Sequence, residues 1–70
     1  MEKTMSNLTK LSIRRIISHS TSDGTPVDDL TVAYRTGYNR YSICDNGEEV
    51  SGLTLDQAVE VAWENLHPDR

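Results

Sequence analysis

Residues 52–68 read GLTLDQAVEVAWENLHP and predict one capped amphipathic α-helix, the most clearly marked element of the chain. Thr54 and Gln57 form a capping-box pattern, in which each side chain satisfies a backbone N–H of the other residue. The apolar residues recur every three or four positions and fall on one face: Leu55, Ala58, Val59, Ala62 and Leu66. Pro68 disfavours the helical conformation in the residue before it, so we expect the helix to end near His67.

Two short extended runs upstream of this helix predict a β-hairpin. Asn46 and Gly47 separate residues 41–44 from residues 48–51. Asn-Gly between such runs is typical of a type I′ turn, because both central positions need positive φ. Along the first run, Tyr41 and Ile43 should share one face of the sheet, with Cys44 on the other.

A further strand is predicted over residues 30–36, which alternate in polarity and contain β-branched residues. Leu30, Val32 and Tyr34 should share one of its faces. Residues 37–39 then supply a turn. The polar stretch 18–29 contains Gly24 and Pro26 and predicts a loop.

The run LSIRRII at residues 11–17 is ambiguous. As a helix, its apolar residues spread widely around the axis. As a strand, Leu11, Ile13 and Ile17 align on one face with Arg15 intruding, and we favour this interpretation. The expected fold is therefore α+β, a small antiparallel β-meander of three to four strands with one C-terminal α-helix packed on one face.

Length and composition limit the chain to one small domain. Its 70 residues are 36% hydrophobic, with one Trp and no Phe, so the core must be thin. We expect residues 1–70 to form a single domain with a flexible segment at residues 1–9. A lone cysteine, Cys44, and the lack of a long apolar run favour a soluble cytoplasmic protein rather than a secreted or membrane protein.

Charge is distributed unevenly along the sequence. Residues 1–44 carry six Lys or Arg against four Asp or Glu, a net charge of +2. Residues 45–70 carry seven Asp or Glu against Arg70 alone, a net charge of −6. An acidic half of this kind repels nucleic acid and attracts a basic surface.

The sequence offers no catalytic constellation. His19 and Asp23 lie near serines in the predicted polar loop, but no nucleophile-elbow motif accompanies them. The two histidines and Cys44 lack the spacing of a zinc site, and no Gly-rich phosphate loop is present. We therefore expect a protein that is not an enzyme, with no catalytic residues, no metal and no cofactor.

The best candidate for a binding surface is the acidic side of the C-terminal helix. Asp56, Glu60 and Glu64 recur every four positions, and Trp63 lies at the border between them and the apolar face. Like charges at this spacing weaken a helix, which favours a role in binding. With Glu48 and Glu49 at the hairpin tip, they predict contact with a larger host protein that has a basic surface.

Two alternatives use other surfaces. Arginines and tyrosines on a small sheet can hold single-stranded nucleic acid, and the candidates are Arg14, Arg15, Arg35, Arg40, Tyr38 and Tyr41. The negative net charge disfavours this interpretation. The second alternative is a structural or regulatory homodimer that associates through Trp63 and an edge strand.

Residues 47–68 are similar to the strand-to-helix segment of small phage-encoded host-takeover proteins, such as the phage inhibitors of bacterial RNA polymerase. Short anti-CRISPR proteins look similar in size, acidity and build. The resemblance implies an inhibitor or accessory protein, of phage or mobile-element origin, that binds a larger host protein. The polymerase inhibitors continue into a strand with arginines after the helix, and these contact residues have no counterpart after Pro68 here.

Overall fold

A computed structural model describes residues 9–66 of the chain. Six elements follow one another: α1 Lys10–Ser18, β1 Thr25–Pro26, β2 Thr31–Gly37, β3 Arg40–Asp45, β4 Glu48–Leu53 and α2 Leu55–Leu66. The four strands form an open antiparallel sheet in the order β1-β2-β3-β4, so each strand pairs with its neighbour in sequence. The two helices pack against each other and against this sheet. The α+β fold, with a meander and a C-terminal helix, is confirmed.

The N-terminal run is a helix, and the prediction of a strand at residues 11–17 was wrong. Thr9 caps α1 by accepting a hydrogen bond from the Ser12 backbone N–H at 3.1 Å. Ile13 and Ile17, one helical turn apart, are fully buried. Packing of this pair stabilises a helix of nine residues that would be marginal alone. The predicted flexible segment at residues 1–9 lies, apart from Thr9, outside the described residues.

The start of α2 is fixed by three side chains. The Gln57 N–H donates to Thr54 Oγ1 at 3.3 Å, and the Thr54 N–H donates to Gln57 Oε1 at 3.0 Å. This reciprocal pair confirms the predicted capping box. Asn39, in the turn between β2 and β3, also accepts from the Leu55 N–H through Oδ1 at 3.1 Å. The predicted end of the helix at His67 lies outside the described residues.

Asn46 and Gly47 have φ angles of 51° and 88°, as the predicted type I′ turn requires. This turn pairs Asp45 with Glu48 and fixes the register of the β3–β4 hairpin. Further along, a β-bulge sets two β4 residues opposite one β3 residue, because Ile43 pairs with Val50 but Tyr41 pairs with Leu53.

The sheet has one face towards the helices and one open face. Ala33 pairs with Ile43, and both are buried in the core, as is Tyr41. Val32 and Tyr34 share a face as predicted, but it is the open face, turned away from the helices. Leu30 precedes β2 and is 62% exposed.

The loop between α1 and β2 lies over part of the open face and contains the short strand β1. Gly24 has a φ angle of 96°, and a Cβ atom there would lie 2.7 Å from Cε2 of Tyr34 and 2.9 Å from Cγ1 of Val32. The Arg35 N–H donates to the Thr21 carbonyl at 3.0 Å. Only glycine permits the chain to approach the sheet this closely.

The core lies between the helices and the sheet and consists of small and medium-sized side chains. Its buried members are Ile13, Ile17, Val27, Ala33, Tyr41, Ile43, Ala58, Val59 and Ala62. Half-buried apolar residues, among them Leu53, Val61 and Trp63, pack around it. Both helices are needed to close this core, because α1 contributes two of its buried residues and α2 contributes three.

Candidate protein-binding surfaces

The acidic side of α2 faces α1, where basic residues meet it. Lys10 Nζ lies 2.8 Å from Glu60 Oε2, and Arg14 Nη1 forms an ion pair with Asp56 Oδ1. Both helices use a spacing of four residues, so the two pairs align when the helices run antiparallel. Two of the three carboxylates predicted as a binding stripe are therefore compensated within the chain.

Trp63 also belongs to the contact between the helices. It is half-buried against the core, and Lys10 Nζ lies 5.7 Å from the centroid of its ring. That distance is within the range of a cation–π interaction. Glu64 is exposed on α2 and forms no ion pair with any residue between 9 and 66.

Carboxylates without an ion-pair partner between residues 9 and 66 gather instead at the end of the sheet formed by the β3–β4 turn and the loop before β2. We call this surface the acidic end, and its residues are Asp28, Asp29, Asp45, Glu48 and Glu49. Thr31 connects its two halves, because it pairs with Asp45 across the sheet and its N–H donates to Asp28 Oδ1 at 2.7 Å. The Asn46 N–H also donates to the Leu30 carbonyl at 3.2 Å.

Neutral donors orient the carboxylates of the acidic end. Asp28 Oδ1 also accepts from the Leu30 N–H at 2.8 Å, and Thr31 Oγ1 donates to Asp45 Oδ1. Ser42 Oγ donates to Glu49 Oε2 at 2.8 Å on the open face. No Lys, Arg or His among the described residues forms an ion pair with this surface.

The acidic end accounts for all of the negative net charge. The chain has eleven Asp and Glu against seven Lys and Arg, a net charge of −4. Removing the five carboxylates of the acidic end leaves six against seven cations, a net charge of +1. Two apolar side chains are exposed at this surface or next to it, Leu30 at 62% and Val50 at 45%.

Comparisons with known proteins identify no family. No family model, no curated protein and no solved structure matches this chain. What these surfaces can do follows from their own geometry and charge.

The residues of the nucleic-acid alternative do not share one surface. Arg14 pairs with Asp56 between the helices, and Tyr41 is 7% exposed and lies in the core. Arg15 is exposed on α1, away from the strands. The other three, Arg35, Tyr38 and Arg40, lie together at the β2–β3 turn, where Tyr38 is 91% exposed.

The remaining candidates for chemistry lie apart from one another. His19 is the exposed C-cap residue of α1. Cys44 is half-buried on the open face and pairs with Glu49 across the sheet, on the side predicted for it. Between residues 9 and 66, no group of three or more His, Cys, Asp or Glu side chains could hold a metal ion. Neither described helix is long and apolar enough to cross a membrane.

Sequence reasoning missed Asp28, Asp29 and Leu30 as part of a surface, because they belong to a loop that only the strand pairing brings beside Glu48. It also missed the role of Lys10. A signal for Lys10 was present, since Lys10 and Arg14 repeat the spacing of Asp56 and Glu60 with opposite charge. That signal has meaning only if residues 10–18 form a helix.

Proposed function

We propose that this chain is a non-enzymatic protein-binding module whose acidic end docks on a basic surface of a larger host protein in the cytoplasm. One observation carries the proposal, the collection of five carboxylates at one end of the sheet without a cation among the described residues to compensate them. Such a concentrated field steers a basic partner and accelerates association.

The acidic end suits this role better than the acidic side of α2. A partner that approached Asp56 or Glu60 would have to displace Arg14 or Lys10 first. At the acidic end, Leu30 and Val50 add exposed apolar area beside the charges. An apolar centre within a polar rim is the usual composition of a protein interface.

Basic protein surfaces often hold nucleic acid, so occupation of such a surface would block the nucleic acid. Following the resemblance of residues 47–68 to small phage proteins, we propose an inhibitor or accessory factor of phage or mobile-element origin. The acidic end then acts as a competitor for the phosphate backbone, because both present closely spaced negative charges.

The test is affinity capture from the native host with the full chain as bait. The variant Glu48→Lys/Glu49→Lys reverses two charges of the acidic end. We expect it to capture about tenfold less of a basic partner than the unmodified chain, since the rim charge pairs become repulsive. Quantitative mass spectrometry of the captured proteins measures the difference.

The matched control is Asp23→Lys/Glu64→Lys, which changes the net charge equally at exposed positions outside the acidic end. This control should capture the partner normally, and circular dichroism should show both variants folded. Equal loss of capture in the two variants would mean that the net charge of the chain, and not the acidic end, determines partner binding. Full retention by Glu48→Lys/Glu49→Lys would refute the proposed surface.

A further inference from the structure

The two edges of the sheet differ in what they offer to another strand. The β1 edge has two residues, and one of them, Pro26, has no N–H to donate. The β4 edge has six residues, of which the first five are exposed and the sixth is half-buried. Within residues 9–66 no strand pairs with the outer side of β4. The β4 edge is therefore the one open to a further strand.

The register of the hairpin shows which backbone groups are available. Asp45 and Glu48 flank the type I′ turn as a hydrogen-bonded pair, so the next pair, Cys44 and Glu49, is a non-hydrogen-bonded one. The N–H and C=O of Glu49 therefore point away from β3. The bulge after Val50, where Gly52 has a φ angle of 73°, interrupts the regular edge. Only residues 48–50 present a straight edge, which suits a short segment.

The two faces beside this edge differ in chemistry. Glu49 lies on the open face, where its carboxylate accepts from Ser42. Val50 pairs with the core residue Ile43 and lies on the helix face, where Leu53 at the end of β4 lines a shallow groove with Gln57 and Val61. A strand added here would have its side chains alternate between a carboxylate on one face and apolar groups on the other.

Charge decides between a second copy and a different partner. Antiparallel pairing of two β4 strands over the straight edge at residues 48–50 would set Glu49 of one copy directly opposite Glu49 of the other. Like charges directly opposite one another destabilise a sheet, so pairing of two copies at this edge would be unfavourable. A basic segment meets complementary charge instead.

We propose that the β4 edge receives an extended segment of the partner by strand addition at residues 48–50, with alternating basic and apolar side chains. This inference rests on the proposed function and names the form in which the partner binds. The Glu49 N–H and C=O supply the backbone hydrogen bonds, and the edges of strands are used in this way by several peptide-binding domains. Because so few backbone bonds are available, side-chain contacts with Glu49 and Val50 must provide much of the affinity.

The test uses the isotope-labelled full chain and a defined probe, an acetylated and amidated octapeptide of alternating lysine and valine. We expect saturating peptide to slow hydrogen exchange of the Glu49 amide by about tenfold or more, because an edge N–H becomes paired. Exchange and chemical shifts are followed by NMR. A glutamate–valine octapeptide should not bind, and a probe N-methylated at alternate residues should lose the protection.

Substitution of Val50 tests the apolar side of the edge. Val50→Thr keeps the β-branched shape and should weaken binding of the lysine–valine peptide about threefold, since one partly exposed methyl contact is lost. Leu11→Thr, at an exposed apolar position on α1, is the matched control and should leave affinity unchanged.

Each other outcome overturns this inference in its own way. Peptide binding with shifts at the acidic end but unchanged Glu49 exchange means that charge alone holds the partner, and the proposed function then stands without strand addition. Absence of binding by the lysine–valine peptide would contradict strand addition at residues 48–50. The proposed function would still be tested by the capture experiment. Slow Glu49 exchange in concentrated protein without peptide would show that a second copy occupies the edge.

Discussion

Lys10 connects the first turn of α1 with the middle of α2, because its ammonium group approaches both Glu60 and the ring of Trp63. Arg14, one turn later in α1, makes a similar connection with Asp56, one turn earlier in α2. These contacts are exposed, so each contributes little stability by itself. Their main effect is to align the two helices, because a slip by one turn would leave a charge unpaired.

A double-mutant cycle measures the Lys10–Glu60 contact. We expect Lys10→Met, Glu60→Gln and the double variant to give a coupling free energy of about 0.2–1 kcal/mol at low salt. The coupling should largely disappear at about 1 M salt, because exposed charges are screened. Urea unfolding of the four proteins gives the value, and a cycle of Lys10→Met with Glu64→Gln is the control. A coupling no larger than in the control would show that Lys10 does not compensate the charge of Glu60.

At the scale of elements, the start of α2 could be predicted because its cap involves residues three positions apart. The type I′ turn at Asn46 and Gly47 could be predicted for the same reason. The strand prediction at residues 11–17 was wrong because it placed Leu11 on the buried face with Ile13 and Ile17, whereas Leu11 is 79% exposed. What makes α1 a helix is burial of Ile13 and Ile17, one helical turn apart, against partners distant in sequence.

The cap of α2 makes a prediction at this scale. Thr54→Ala should lower the free energy of unfolding by about 1 kcal/mol, because the N–H of Gln57 loses its acceptor. Thr54→Ser keeps the hydroxyl and should lie much closer to the unmodified protein. Urea unfolding followed by circular dichroism compares the three. Equal losses for Ala and Ser would assign the effect to the methyl group rather than to the cap.

For the whole molecule, the thin core makes stability depend on few side chains. Ile17→Ala should cost about 2–5 kcal/mol, which approaches the total stability expected for a domain of this size. We therefore expect the variant to be largely unfolded at 25 °C. Leu11→Ala, on the same helix but at a position 79% exposed, should change stability by less than about 0.5 kcal/mol.

The fluorescence of Trp63 reports this unfolding, because the ring is half-buried beside the core and Lys10. Cooperative loss of the fluorescence signal and of circular dichroism at one urea concentration would show that both helices and the sheet unfold together. If Ile17→Ala unfolded α1 alone, the signal from the sheet would persist, and α1 would not be needed to keep the rest of the core folded.

The sequence alone also predicted that the C-terminal half is acidic and suited to a basic partner. It could not predict which carboxylates are compensated, since Arg14 and Asp56 are 42 positions apart and Lys10 and Glu60 are 50 apart. The helix packing compensates Asp56 and Glu60, whereas the carboxylates of the acidic end have no cation partner among the described residues. The candidate binding surface is therefore the acidic end rather than the acidic side of α2.

The hydrogen bond from the Leu55 N–H to Asn39 Oδ1 has a consequence for the order of folding. Its partners are 16 positions apart, so the first turn of α2 gains this acceptor only after β2, β3 and β4 have aligned. Closing the α1–α2 contact spans nearly the whole described chain and costs the most loop entropy. We therefore expect the hairpins to form first, α2 to nucleate at the Asn39 turn, and α1 to dock in the last, rate-limiting step.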